Sequence, residues 1–492
     1  MDANVIIIGG GISGMATALR LQARGVTTMV LEAHGQVGGC AGFFRKRGFA
    51  FDVGATTLVD FEPDGVGGQF LREIGLDEID GEILPGYQAW LPDRLITLHR
   101  DPTTWQRERL RAFGDTVAYR RFWRLLDHLA ALFWEASRQG IKLPIHSASA
   151  LWKASRLIPP KHWGMVRYLT WTMADALKAC GLEQDRALRQ FLGMLIQDTV
   201  HATVEAAPLI NSALGVTIRG AGLMRSDGGM HGFWQTLVHH YRQLGGTLRV
   251  GTRVEQVCQT KSGFTVNTRR GAFQARQVVS TLPIWNTAQL GMSAVTRALQ
   301  PYLHRDKDKL GGAVVVFLGV PDAEVQEEKF THHQILIDYA QPLQNGNNMF
   351  ISVSAPEDVK SAPHGWRAVM LSTHCDLADW EGLSEERYLV RKREIGQRLI
   401  DYARRVYPSL GKQAKVLEVG TPLTYAKYTH RHRGAVGGIR LSLRNSNQFA
   451  VPYNLGISGF WQAGDTTWPG LGTVACVLGS RHIADAIISG GS

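Results

Sequence analysis

A short apolar run, Val5-Ile6-Ile7-Ile8, opens without a break onto Gly9-Gly10-Gly11-Ile12-Ser13-Gly14, and no other stretch limits the possible folds so closely. Four consecutive apolar residues suit a strand buried on both faces of a parallel sheet. Met15 to Arg24 predict a helix with Ala16, Leu19 and Ala23 on one face, ended by Gly25, and Thr27 to Leu31 predict a second strand closing on Glu32 and Ala33. The glycines at 9, 11 and 14 satisfy GxGxxG. Gly9 allows the tight turn, Gly11 lets the backbone approach a pyrophosphate, and Gly14 lets helix and strand pack closely. Ile12 and Ser13 lead into that helix, whose free N–H groups and positive dipole end meet phosphate charge. The Glu32 carboxylate suits the ribose hydroxyls and repels a 2′-phosphate, which disfavours NADP. The whole unit predicts a dinucleotide site and leaves NAD and FAD unseparated.

A chain of 492 residues exceeds the ~250–300 at which one core tends to split, so two domains are expected. The five cysteines (Cys40, Cys180, Cys258, Cys375, Cys476) are scattered without a CxxC pair, which fits free thiols in a reducing compartment. No His/Cys cluster has metal-ligand spacing, so no metal is expected. Met1 to Asn4 carry no basic leader, and no apolar stretch reaches the ~18 residues of a membrane span, so a cytoplasmic protein is expected.

The net charge of +11 is concentrated. Trp105 to Lys178 hold 13 Lys and Arg against 5 Asp and Glu, and seven of the 13 Trp fall between Trp90 and Trp171. This mixture suits either the headgroup level of an anionic bilayer, giving peripheral membrane contact, or the solvated basic face of a helical lobe. No nucleic-acid reader module is visible, so nucleic acid is not an expected partner.

The continuation Glu32-Ala33-His34-Gly35-Gln36-Val37-Gly38-Gly39 resembles the second glycine motif of the flavoproteins that include amine oxidases and carotenoid desaturases. The resemblance implies FAD, with Gly38 and Gly39 letting a loop fold back on the diphosphate. That group has Arg after the glycine pair; here it is Cys40, and Arg45, Lys46 or Arg47 are the candidate replacements. Phe460 to Asp465 looks like the group's final strand, with Gly464 and Asp465 at the ribityl chain. Gly472, Thr473 and Val474 then open a helix toward the flavin pyrimidine edge. In the same group the residue matching Val254 lies against the adenine. The implied fold is α/β: a discontinuous Rossmann-type FAD-binding domain from residues 1–90, 220–300 and 440–492, with an α+β substrate domain from 91–219 and 301–439.

Arg47 to Ala55, the Ser226-Asp227-Gly228-Gly229-Met230 turn and Gly464 to Thr473 are similar to carotenoid (phytoene) desaturases and isomerases, particularly the 3,4-desaturase branch. Asp227 and Ala475-Cys476 depart from the pattern. The implied activity is desaturation of a long apolar polyene by hydride transfer to flavin, with oxygen or a quinone as electron acceptor. A redox-neutral cis-trans isomerase or a saturase of the same fold is the alternative. Amine oxidation would need a site for a small cation, and the sequence shows no aromatic-cage signature.

The substrate region is less explicit. Tyr119, Phe122, Trp123, Leu126, Leu129 and Phe133 recur at helical spacing, a stripe that suits a core or a tunnel wall. Leu157 to Pro160 break the helical region ahead of Lys161-His162-Trp163, as a membrane-facing entrance or a plain loop would. Ala313–Val320, His333–Tyr339, Asn348–Ser354 and Arg367–Thr373 predict strands, and 384–406 a helix. No catalytic residue is assigned. His201, Glu205, His231 and Asp227 lie near plausible site segments, and catalysis by positioning and flavin electrostatics alone remains open.

Overall fold

The computed structural model describes residues 1–145, 152, 155–156, 160–217 and 222–490. The opening run lies in strand Ala3–Ile8, near the middle of a seven-stranded sheet. Parallel pairing joins Thr247–Arg249 to Thr28–Leu31, that strand to Ala3–Ile8, and Ala3–Ile8 to Gly271–Ser280. Gly271–Ser280 is then shared lengthwise. Its first half pairs antiparallel with Gly263–Thr268, which continues to Val254–Thr260, and its last residues pair in parallel with Phe460–Gln462. Helix Ile12–Ala23 lies against the last helix, Thr473–Ile488, and Met15, Leu19, Val477 and Ile483 share one core cluster.

A second seven-stranded sheet runs Val416–Gly420, Gly312–Pro321, Trp366–Cys375, Asn348–Val353, His332–Leu336, Gly86–Trp90, Leu95–His99. The four predicted strands are all present in it, and the predicted helix is Glu385–Ala403. Residues 86–90 belong here and not with the first sheet: His333 pairs in parallel with Gln88, and Ile335 with Trp90. The boundary drawn at residue 90 therefore cuts the 86–99 hairpin between its two strands. Apolar alternation shows which face of a strand is buried; it carries no information about which sheet the strand joins.

Helices Pro102–Phe113, Val117–Arg138, Met173–Ala179, Arg186–Val200 and Leu209–Thr217 pack over that hairpin around a further core. Phe122, Trp123, Leu126 and Leu129 are buried in it, so the aromatic stripe is core and not tunnel wall. The helix starts are fixed by their caps. Asp185 accepts the Leu188 N–H at 2.9 Å, and Thr172 with Asp175 forms a capping box. Most of the segment 157–160 lies outside the described residues.

Candidate functional site: one cavity spanning the two sheets

The glycine turn is built as its spacing requires. Gly9 has φ +103, and a Cβ on Gly14 would collide with the Gly9 carbonyl oxygen. Gly11 differs from both: nothing lies nearer to its missing Cβ than the Gly38 carbonyl oxygen at 4.0 Å, so the backbone there faces open space. Gly11 caps helix Ile12–Ala23 and Gly472 caps Thr473–Ile488, each without a side-chain cap, so both helices leave their first-turn N–H groups to a ligand. The second glycine motif folds back on the first, with the Gly38 N–H donating to the Gly10 carbonyl at 2.9 Å. Glu32 receives the Gly10 N–H at 2.6 Å and the His34 N–H at 2.7 Å, one on each carboxylate oxygen. Burial raises its pKa, and these two N–H groups act in the opposite direction. Each oxygen keeps a lone pair for a further donor.

A cavity of ≈ 1380 Å³ opens from this turn. It passes the Gly464-Asp465 strand end and continues under the second sheet, where Val315, Phe317, Phe350 and Tyr87 line it. Midway stands a buried ion pair, the Arg431 guanidinium on Asp465 at 2.8 Å, with the Arg431 Nε–H on the Ala435 carbonyl at 2.7 Å. Burial opposes the charge on Arg431, but the Asp465 carboxylate outweighs it and keeps the guanidinium protonated. Cys40 and Cys476 line the same stretch, and burial raises both thiols, Cys476 to about 12, so neither is a thiolate.

The far wall is polar in one place. Helix Arg186–Val200 ends on His201, which turns to φ +56 and presents its ring to the cavity. The His374 ring stands edge-on to it at 4.8 Å, and His374 Nε2 meets Asp198 at 3.2 Å. Asp198 also accepts from the Gln334 amide at 2.8 Å. Gly437, at φ +79, lies flat against the His201 ring with no room for a Cβ, and Gly438 does the same over the Asp465 carbonyl. Two adjacent glycines thus seat the imidazole and the backbone of Asp465.

Of the residues expected at a cofactor, Gly9, Gly11, Ile12, Ser13, Glu32, Gly38, Gly39, Gly464, Asp465, Gly472 and Thr473 line this cavity. Gly14 packs beneath the turn, Ala33 and Val474 are half-buried beside it, and the Val254 side chain lies in the core behind the sheet. Only His201 of the four candidate side chains lines the cavity. Glu205 pairs with Arg189 at the surface, Asp227 is exposed, and His231 is buried beside Phe43. Of the replacements weighed for the missing arginine, Arg45 and Lys46 line the cavity, Lys46 paired with Glu418, whereas Arg47 donates to the Lys415 carbonyl outside it. Arg431 is the cation beside Cys40, and nothing local in its sequence marks it.

Residues 12–488 match the family described as flavin containing amine oxidoreductase. Prolycopene isomerase 1 of an Oncidium hybrid cultivar is 24% identical over 96% of this chain and 82% of its own length. The lycopene-forming phytoene desaturase of Pseudescherichia vulneris is 25% identical, over 98% of each chain. Among solved structures, cyclohexylamine oxidase from Brevibacterium oxydans superposes with a TM-score of 0.62 at 15% identity, covering 99% of this chain and 100% of that one. A putrescine oxidase double mutant gives 0.64 at 14% identity, covering 99% of each chain.

Proposed function

The chain belongs to the flavin-containing amine oxidoreductase family and is an FAD-dependent oxidoreductase; from that premise we propose that it desaturates a long apolar polyene, a carotenoid. The observation that carries this reading is the continuity of the cavity, from the glycine turn past Asp465 into a chamber walled by Val315, Phe317 and Phe350. A long apolar molecule fits such a chamber.

The residues divide the work. Gly9, Gly11 and Gly38 bring backbone to the diphosphate, the two uncapped helix starts meet negative charge, and Glu32 holds ribose hydroxyls. Asp465 offers its second oxygen to the ribityl chain while Arg431 fixes the first. FAD held there would supply the hydride acceptor, with oxygen or a quinone as the terminal oxidant. The substrate would give one hydride to the flavin and one proton to solvent from the neighbouring carbon, and the chamber wall holds those carbons in place.

Access is proposed from a membrane surface. In the 3₁₀ helix Pro160–Thr170 side chains repeat every third residue, and Trp163, Val166 and Leu169 all stand exposed, while Tyr168 turns inward. Trp152 is 54% exposed with the Arg156 guanidinium stacked over its ring at 3.5 Å. An exposed apolar edge set among cations suits an anionic bilayer. Among the described residues no helix is long and apolar enough to cross a membrane.

The second reading is redox-neutral isomerisation, favoured by the likeness to prolycopene isomerases over 96% of the chain. Product analysis separates the two. The FAD-loaded protein is supplied with carotenoids in vesicles, and products are followed by chromatography and mass. A red-shifted product lighter by two hydrogens supports desaturation, an altered spectrum at unchanged mass supports isomerisation, and no change with any polyene overturns both.

A further inference from the structure

His201, His332 and His374 line the chamber under the second sheet, and His201 is set apart by its lack of partners. His332 is bonded to Thr331 and Ser352, and His374 to Asp198. His201 is 7% exposed, lines the cavity, and its ring nitrogens meet no hydrogen-bonding group among the described residues. A buried polar group without a partner is unusual in a folded protein and calls for one from outside the chain.

The ring is also held in position. His374, fixed by Asp198 and through it by Gln334, stands against one side, and Gly437 against another. Burial, with His374 and Arg440 nearby, lowers its pKa well below the usual value, so the imidazole is neutral. A neutral imidazole offers one N–H donor and one acceptor nitrogen. It is also a poor acceptor for a proton from carbon, since its cation is disfavoured here. Recognition of a polar atom suits it better than acid–base work.

We propose that His201 is a specificity-determining residue that hydrogen-bonds an oxygen substituent, a hydroxyl or carbonyl, carried by the hydrocarbon in this chamber. This rests on the polyene reading and narrows it to an oxygenated polyene. The hydrocarbon fills the apolar walls; the oxygen meets the unpartnered His201 imidazole among them. A substrate without that oxygen leaves the imidazole buried and unpaired, which is the basis of discrimination.

The test uses the full FAD-loaded chain and two polyenes of equal length, one a hydrocarbon and one hydroxylated, offered in the same neutral vesicles. Binding is read from the shift of the polyene absorbance. The native protein is expected to prefer the hydroxylated polyene by about tenfold or more. His201→Phe removes the preference and keeps hydrocarbon binding, while His201→Gln, which retains a donor and an acceptor, keeps most of it. Equal binding of the two polyenes by the native protein overturns this proposal and leaves the polyene reading standing. Binding of neither overturns both. Loss of flavin from His201→Gln with the preference intact would assign the imidazole to the cofactor and also overturn the proposal.

Discussion

Arg431 and Asp465, 34 residues apart in sequence, meet at 2.8 Å inside the cavity, each with a side chain less than 15% exposed. The pair lies beside Cys40, where related flavoproteins carry an arginine. Removing the guanidinium leaves a buried carboxylate unpaired at the expected ribityl position. Arg431→Gln is therefore expected to weaken FAD binding by about a hundredfold, ~3 kcal/mol, seen as flavin fluorescence released on dilution. Adding Cys40→Arg to that variant should restore part of the loss. A variant that retains flavin as tightly as the native protein would remove Arg431 from the cofactor site.

Two glycines of one turn should fail in different ways. A Cβ on Gly14 strikes the Gly9 carbonyl, so Gly14→Ala is expected to lower the stability of the apoprotein by several degrees in Tm. A Cβ on Gly11 meets no protein atom and points into the space left for the diphosphate. Gly11→Ala should melt like the native apoprotein and bind FAD at least tenfold less tightly. Parallel melting curves with and without FAD check both, and equal behaviour of the two variants would contradict the assigned roles.

His333 makes stability depend on pH. Its Nδ1 receives the Trp90 indole N–H at 3.2 Å, and its Nε2 faces the Phe330 carbonyl at 2.8 Å, so only the neutral ring fits. Burial pushes its pKa down to about 4. The unfolded chain takes the proton near ~6.5, so on acidification the unfolded state gains protons first. Stability should fall as pH drops from ~6.5 to ~4, by about 3 kcal/mol from this residue, with no further loss below. Urea denaturation across that range, in native protein and His333→Gln, should show a shallower fall in the variant. Identical slopes would exclude His333 as a source.

The exposed edge of Trp163, Val166 and Leu169 should govern attachment to lipid. Replacing all three by Ser is expected to reduce co-sedimentation with anionic vesicles by about tenfold or more, by the apolar area withdrawn. Binding by the native chain that ignores anionic lipid content would count against the basic residues as contributors.

Much of the glycine-turn end of the fold was legible because it is local. Val5 to Glu32 contains a complete strand, turn, helix and strand, and each glycine has a neighbour within the same unit to explain it. The chamber was not. Arg431 sits in His430-Arg431-His432-Arg433, a stretch that reads as surface charge, and acquires its meaning only from Asp465 across the fold. Gly437 and Gly438 gave no signal because what they accommodate, His201 and Asp465, arrives from other segments. His201 was one of four weighed side chains, and local sequence had no means to separate it from Glu205 on the surface. The first strand of the 86–99 hairpin was set apart from the second for the same reason: its partner strand comes more than two hundred residues later.

Strand Gly271–Ser280, bordered by residues 3–8 on one side and 460–462 on the other, sets the order in which the protein can become an enzyme. A nascent chain that has passed residue 300 has made the turn for the diphosphate, yet Arg431, Asp465 and the helix opening at Thr473 are still unmade. On the proposed assignment, the nucleotide end of the cofactor has a landing place early and its redox end has none until translation is nearly over. Truncation before Phe460 should then give a colourless protein whatever the integrity of its first sixty residues.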